Sequence, residues 1–226
     1  MLREYASPEN AKSLSWFFKT GPGEYGAGDV FMGVNMPHIR RTVRGCRDLS
    51  LPGVVRLLKS KVHEERMLGA LLLVERFNRG DTRQQRAVYR LYIDHLDRIN
   101  NWDLVDLSAP HIVGGHLFER SRRPLYRLAC SRDLWRRRVA ILSTFYFIRR
   151  DDFDDTMAIA DLLLHDHHDL IHKAVGWMLR EMGKRDQAVA EQFLLPRYGS
   201  MPRTMLRYAI ERFPEERRLQ FLNGTA

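Results

Sequence analysis

Cysteine is nearly absent from this chain: Cys46 and Cys130 are the only two in 226 residues, and neither stands in a Cys-x-x-Cys spacing. A disulfide scaffold and a zinc–thiolate centre are therefore unsupported, and neither a metal nor another cofactor is expected. Cys130 follows an apolar stretch and reads as a small buried residue. Long apolar runs are also missing. None approaches the roughly 18 to 20 residues that cross a bilayer, and no basic leader followed by an apolar stretch opens the sequence. A cytoplasmic protein with no membrane span is the expectation. Strand-like alternation is almost absent, and no low-complexity tract or long linker divides the chain. Acids are in deficit: 28 Asp and Glu face 37 Lys and Arg, for a formal net charge of +9. Such an excess argues for a polyanionic partner, nucleic acid first and acidic membrane surfaces second. Lysine is scarce beside arginine. That bias suits bidentate phosphate contacts, although genomic base composition produces it equally well.

What the chain does contain is helical periodicity from end to end, with 44% hydrophobic residues to fill a core. Ser7-Pro8-Glu9 and Ser50-Leu51-Pro52 read as helix starts, each a hydroxyl cap followed by Pro or an acid in the first turn. Gly80-Asp81 and Gly183-Lys184-Arg185-Asp186 read as stops followed by new starts. The one glycine-rich stretch, 21–29, is expected to be a loop. It lacks the preceding strand and following helix of a dinucleotide fingerprint, so it carries no nucleotide site. Overlaying similar helices organises the rest. His63 to Phe77, Trp102 to Gly115, Leu134 to Ile148, Ile171 to Met182 and Pro202 to Phe213 behave as second helices, preceded by shorter ones such as Val54 to Leu58 and Met157 to Leu164. Their spacing is about that of a helical-hairpin repeat. The expectation is an all-α protein, a single domain over 1–226, built as an α-solenoid of stacked antiparallel hairpins of HEAT-like type with a concave basic groove.

The segment Asn100-Asn101-Trp102-Asp103-Leu104-Val105-Asp106 places an indole and a carboxylate one turn apart at the start of an apolar helix. Read as scaffold, Asn101 caps the helix, Trp102 fills the core, and the two acids favour the helix dipole. Read as function, Trp102 and Asp106 face a partner. In the repeat overlay Arg138 and Lys173 fall at nearly the register of Trp102, and Trp177 lies one turn beyond Lys173. Two indoles, one carboxylate and two cations on one surface of a basic protein suit a sugar-phosphate backbone. His165, His168 and His172 would share a helical face, but Asp166 to Asp169 reads as the turn between two helices, so capping or solvated histidines are expected in place of a metal site.

The sequence resembles the AlkD-type DNA alkylation repair glycosylases, HEAT-like repeat DNA glycosylases of base excision repair. The likeness is carried, in order, by Gly23-Glu24-Tyr25-Gly26 with Asp29-Val30-Phe31-Met32-Gly33-Val34, the Asn101–Asp106 segment, Arg136 to Arg149, His168 to Glu181 and Met201 to Phe213. The resemblance implies a solenoid that grips duplex DNA and removes N3- and N7-alkylated purines, without extracting the base fully into a pocket. It also implies roles: Asp106 as catalytic carboxylate, Trp102 and Trp177 as indoles packing on the deoxyribose, and Arg138 near the phosphate. Lys173 reads as a phosphate contact and not as a Schiff-base nucleophile, so a monofunctional hydrolase acting as a monomer, with no obligate protein partner, is expected. One departure stands out. An aromatic hydroxyl that some members carry falls here on Phe17 or Phe18, and Tyr25 replaces it only if its loop folds inward. The alternative is a non-catalytic HEAT-like scaffold that binds damaged or branched DNA through the same groove. Asp106 separates the two, since a phosphate binder gains nothing from an anion in its groove.

Overall fold

A computed structural model describes residues 2–226, and among them every regular element is a helix, joined by turns and loops. The only β pairing among the described residues is an isolated parallel bridge between Val30 and Val62. Two compact units divide the chain, one ending at Ile112 and the other spanning Val113–Ala226.

In the first unit a 3-10 turn, Leu2–Tyr5, precedes α1 (Pro8–Phe17), α2 (Met36–Gly45), α3 (Leu51–Leu58), α4 (His63–Arg79), α5 (Thr82–Asp94) and α6 (Trp102–Ala109). The starts follow local chemistry. Ser7, Asn35, Ser50 and Asp81 each accept a backbone N–H of the first turn, and Asp81 and Gln84 complete a reciprocal capping box. The unit is organised on α4, against which α2, α3, α5 and α6 pack. Met67, Ala70, Leu72, Leu73 and Phe77 of α4 are buried, as are Val54, Leu58, Val88, Tyr92, Leu104 and Val105 around them. Each large side chain so buried contributes about 1.5–3 kcal/mol relative to exposure.

The predicted second helix from Trp102 to Gly115 is not one regular helix. At Pro110 the chain passes into a π-helical turn, Pro110–Gly114, before the short α7 (Gly115–Leu117). Pro110 has no N–H with which to continue the α ladder, and the wider turn absorbs the missing bond.

The second unit continues with α8 (Arg123–Ala129), α9 (Leu134–Ser143), α10 (Phe145–Ile148), α11 (Asp154–Leu162), α12 (Asp169–Arg185), α13 (Gln187–Leu194), α14 (Arg203–Ala209) and α15 (Glu215–Asn223). Here α12 is the organiser, packed by α9, α11, α13 and α14. Its Ile171, Ala174, Val175, Met178, Leu179 and Met182 are buried. The stop and new start read at Gly183-Lys184-Arg185-Asp186 fall at the end of that segment: α12 runs through Gly183 to Arg185, and Asp186 caps α13. A Cβ at Gly183 would stand 3.3 Å from both Ala190 and Phe213, so the glycine is there for close packing and not for a turn. The reading of Cys130 is corrected. It caps the end of α8 with its side chain exposed, because the apolar face of that helix is carried by Leu125 and Ala129. The all-α, helical-repeat reading of the sequence holds. No helix among the described residues is long and apolar enough to cross a membrane.

Candidate functional site

The start of α6 is fixed by a buried polar network that the sequence reading did not find. Asn101, wholly buried, accepts the Trp102 N–H on its Oδ1 at 2.8 Å and donates its Nδ2 to Asp29 Oδ2 at 3.2 Å. Asp103, next along, lies 2.8 Å from His63 Nε2, and the other ring nitrogen of His63 lies 3.2 Å from Asp29 Oδ2. Arg66, one turn beyond His63 on α4, donates to Asp29 Oδ1 at 2.6 Å. Two carboxylates thus flank one imidazole, with an arginine closing the set. Side chains of His63, Arg66 and Asp29 are only 3%, 4% and 6% exposed. Isolated charges at that depth would be very costly, and mutual pairing is what makes them tolerable. Burial alone lowers the His63 pKa, but its bonds to Asp103 and Asp29 outweigh burial and raise it to about 9. Burial likewise pushes Asp29 up, while His63, Arg66 and Asn101 together hold its carboxyl below the usual range. At neutral pH His63 is therefore an imidazolium.

A second buried carboxylate fixes the segment before α2. Glu64 accepts three successive backbone N–H groups, from Met32, Gly33 and Val34, at 2.8–3.2 Å. That segment in turn holds α1. Gly33 has φ +81, and a Cβ on it would stand 2.0 Å from the Ser7 carbonyl oxygen. Only glycine allows α1 so near.

Above the network lies an aromatic stack. Phe31 stacks on His63 at 4.6 Å between centroids and on Phe18 at 5.1 Å, and Phe18 stacks on Trp102 at 5.1 Å. Phe17 meets Trp102 edge-on at 5.9 Å. The structure separates the two neighbouring phenylalanines: Phe18 is buried, and Phe17 is 54% exposed at the Trp102 edge. Tyr25 is half-buried, its hydroxyl donating to the Phe17 carbonyl at 3.5 Å at the surface. Trp102 is half-buried and keeps one part in water. Asp106, one turn further, is half-buried too, and its charge adds to the burial that raises the Tyr92 phenol pKa.

In the second unit, Arg138 is buried on α9 and donates Nη1 to the Leu170 carbonyl at 2.5 Å. Lys173 is partly exposed and pairs with Asp169 at 2.7 Å. Trp177, half-buried, lies 5.9 Å from Phe145 between centroids and donates its indole N–H to Glu181 at 3.1 Å. The histidine segment is a turn, as its aspartates imply. His168 caps α12 by accepting the Leu170 N–H, and His165 and His167 precede that cap.

The network of Asp29, His63, Arg66 and Asp103 joins residues far apart in the chain, so helical periodicity does not reveal it. One signal was present: His63-Glu64-Glu65-Arg66, four polar residues where an apolar helix begins.

The chain is matched over residues 1–213 by a family model described as DNA alkylation repair enzyme. Among solved structures it is similar to a predicted DNA alkylation repair enzyme from Enterococcus faecalis, at a TM-score of 0.71 and 16% identity, covering 95% of this chain and 100% of that one. That likeness shows the fold alone. No curated protein matches. With its sequence matched almost from end to end, this chain belongs to the DNA alkylation repair enzyme family.

Proposed function

We propose that the protein is a monofunctional DNA glycosylase that hydrolyses the N-glycosidic bond of N3- and N7-alkylated purines in duplex DNA, acting as a monomer and without drawing the base fully into a pocket. An alkyl group at N3 or N7 makes the purine cationic. The base then leaves with the bonding electrons and needs no general acid. What the protein must supply is stabilisation of the oxocarbenium-like sugar and a directed water. In this reading Asp106 supplies both: its negative charge stabilises the developing cation, and it takes a proton from the water whose oxygen bonds to the anomeric carbon. The face of Trp102 adds negative quadrupole density and excludes bulk water, and the indole of Trp177 offers the same chemistry in the second unit. Arg138 and Lys173 bind phosphate. Lys173 is paired with Asp169, an arrangement that suits a phosphate-binding ammonium better than an amine nucleophile.

The observation that carries the reading is Asp106 itself, a half-buried acid one turn beyond Trp102 in a chain of net charge +9. A protein that only gripped phosphates would lose affinity by keeping it. The test is incubation of the purified protein with methylated duplex DNA and chromatography of the supernatant. Release of free 7-methylguanine with the strand left uncut is the expected result. Tight binding with no released base would instead assign the chain to the non-catalytic scaffold.

A further inference from the structure

Trp16 is the most exposed large apolar side chain among the described residues, with 85% of its surface in water, and Phe17 beside it is 54% exposed. Both close α1, a ten-residue helix that buries none of its residues. The helix is nonetheless fixed, by polar contacts. Ser7 N–H donates to the Met32 carbonyl at 2.9 Å, and Asn10 Nδ2 donates to the Gly33 carbonyl at 3.5 Å. At the other end Phe18 is buried in the aromatic stack, and the Lys19 N–H donates to the Trp16 carbonyl at 3.2 Å. Trp16 is therefore held out into water by a backbone tied down on both sides.

Size, charge and position bear on what would cover it. A tryptophan buries about 150–250 Å² when covered, far less than the roughly 800 Å² per partner of a stable protein interface. One planar ring system matches the area. Lys12 and Lys19, both exposed, line the surface clefts beside the indole against one acid, Glu24, and their excess favours an anionic partner. The patch is also continuous with the candidate site, since Phe17 meets Trp102 edge-on. Resting on the reading of duplex DNA as substrate, we propose that Trp16 is a stacking platform for an unpaired nucleobase of the DNA, with Lys12 and Lys19 against the adjoining phosphates. Stacking of this kind accepts any base, because every base offers a π-face.

The test compares the full chain with its Trp16→Ala and Trp16→Phe variants. Each is bound to a fully paired duplex and to the same duplex carrying one unpaired base, across a salt titration, with melting temperatures measured in parallel. The expectation is an affinity loss of about tenfold for Trp16→Ala on the duplex with the unpaired base, a smaller loss on the paired duplex, and recovery of most of the difference by Trp16→Phe. The salt slope stays unchanged because no phosphate contact is removed, and melting stays unchanged because the side chain is exposed. Equal affinities of Trp16→Ala and wild type for the unpaired-base duplex overturn the proposal. Equal losses on both duplexes overturn it as well, and so does a dimer that dissociates in Trp16→Ala with DNA binding intact. The catalytic reading is judged separately, by release of 7-methylguanine from the wild type. Release with binding indifferent to Trp16 refutes only the platform, whereas Trp16-dependent binding with no released base refutes only the glycosylase.

Discussion

His63 carries a proton between two carboxylates inside an aromatic cage, and that proton makes the first unit sensitive to alkaline pH. Its folded pKa is raised to about 9 from an ordinary 6.5. A raised pKa means the folded state binds the proton more tightly. The stabilisation is accordingly complete below about 6.5, drains as pH rises from there, and is gone above about 9, amounting to about 3 kcal/mol. Melting temperature measured across that window should fall in the wild type. His63→Gln should melt lower at neutral pH and show little further fall. A wild type whose melting temperature is flat through the window would mean that the imidazole is neutral in the folded state. Because Asp103 and Asn101 belong to both this network and the start of α6, the same variant should also disturb the residues at that helix start.

Among the elements, α1 and the segment before α2 depend on each other through one residue. Replacing Gly33 by Ala puts a Cβ against the Ser7 carbonyl and asks an L-residue to hold φ +81. Strain of this kind costs about 1–3 kcal/mol even before the clash is relieved. The denaturation midpoint of Gly33→Ala should drop by a corresponding amount, and an unchanged midpoint would show that α1 is not docked through Gly33. At this scale the sequence was largely readable where the chemistry is local. Ser7, Ser50 and Asp81 cap their helices as their residue types imply, and Asn101 caps α6. It was unreadable where distant parts decide. The π-helical turn after Pro110 depends on how freed backbone groups are satisfied, and the passage of α12 through Gly183 depends on Ala190 and Phe213. The candidate site divides the same way. Trp102 and Asp106 share a short segment, so their placement one turn apart on α6 was legible, whereas Asp29, His63, Arg66 and Asp103 meet only in the fold.

For the whole molecule, charge and chemistry make separate demands. A net charge of +9 provides affinity for DNA that weakens with salt, each lost phosphate contact lowering the slope of log affinity against log salt by about one. Lys173→Ala, removing a partly exposed cation, should lower the slope by that amount and weaken paired duplexes of any sequence alike. A loss confined to particular sequences would point to base reading. None of this requires a carboxylate, and Asp106 is therefore the residue that separates a hydrolase from a phosphate binder. The most direct measurement is single-turnover release of 7-methylguanine from methylated duplex by wild type and Asp106→Asn, with duplex affinity measured on the same preparations. In Asp106→Asn the excision rate should fall by about 10² or more, with affinity equal or improved because an anion has been removed. Excision by Asp106→Asn at the wild-type rate would contradict a catalytic role for Asp106.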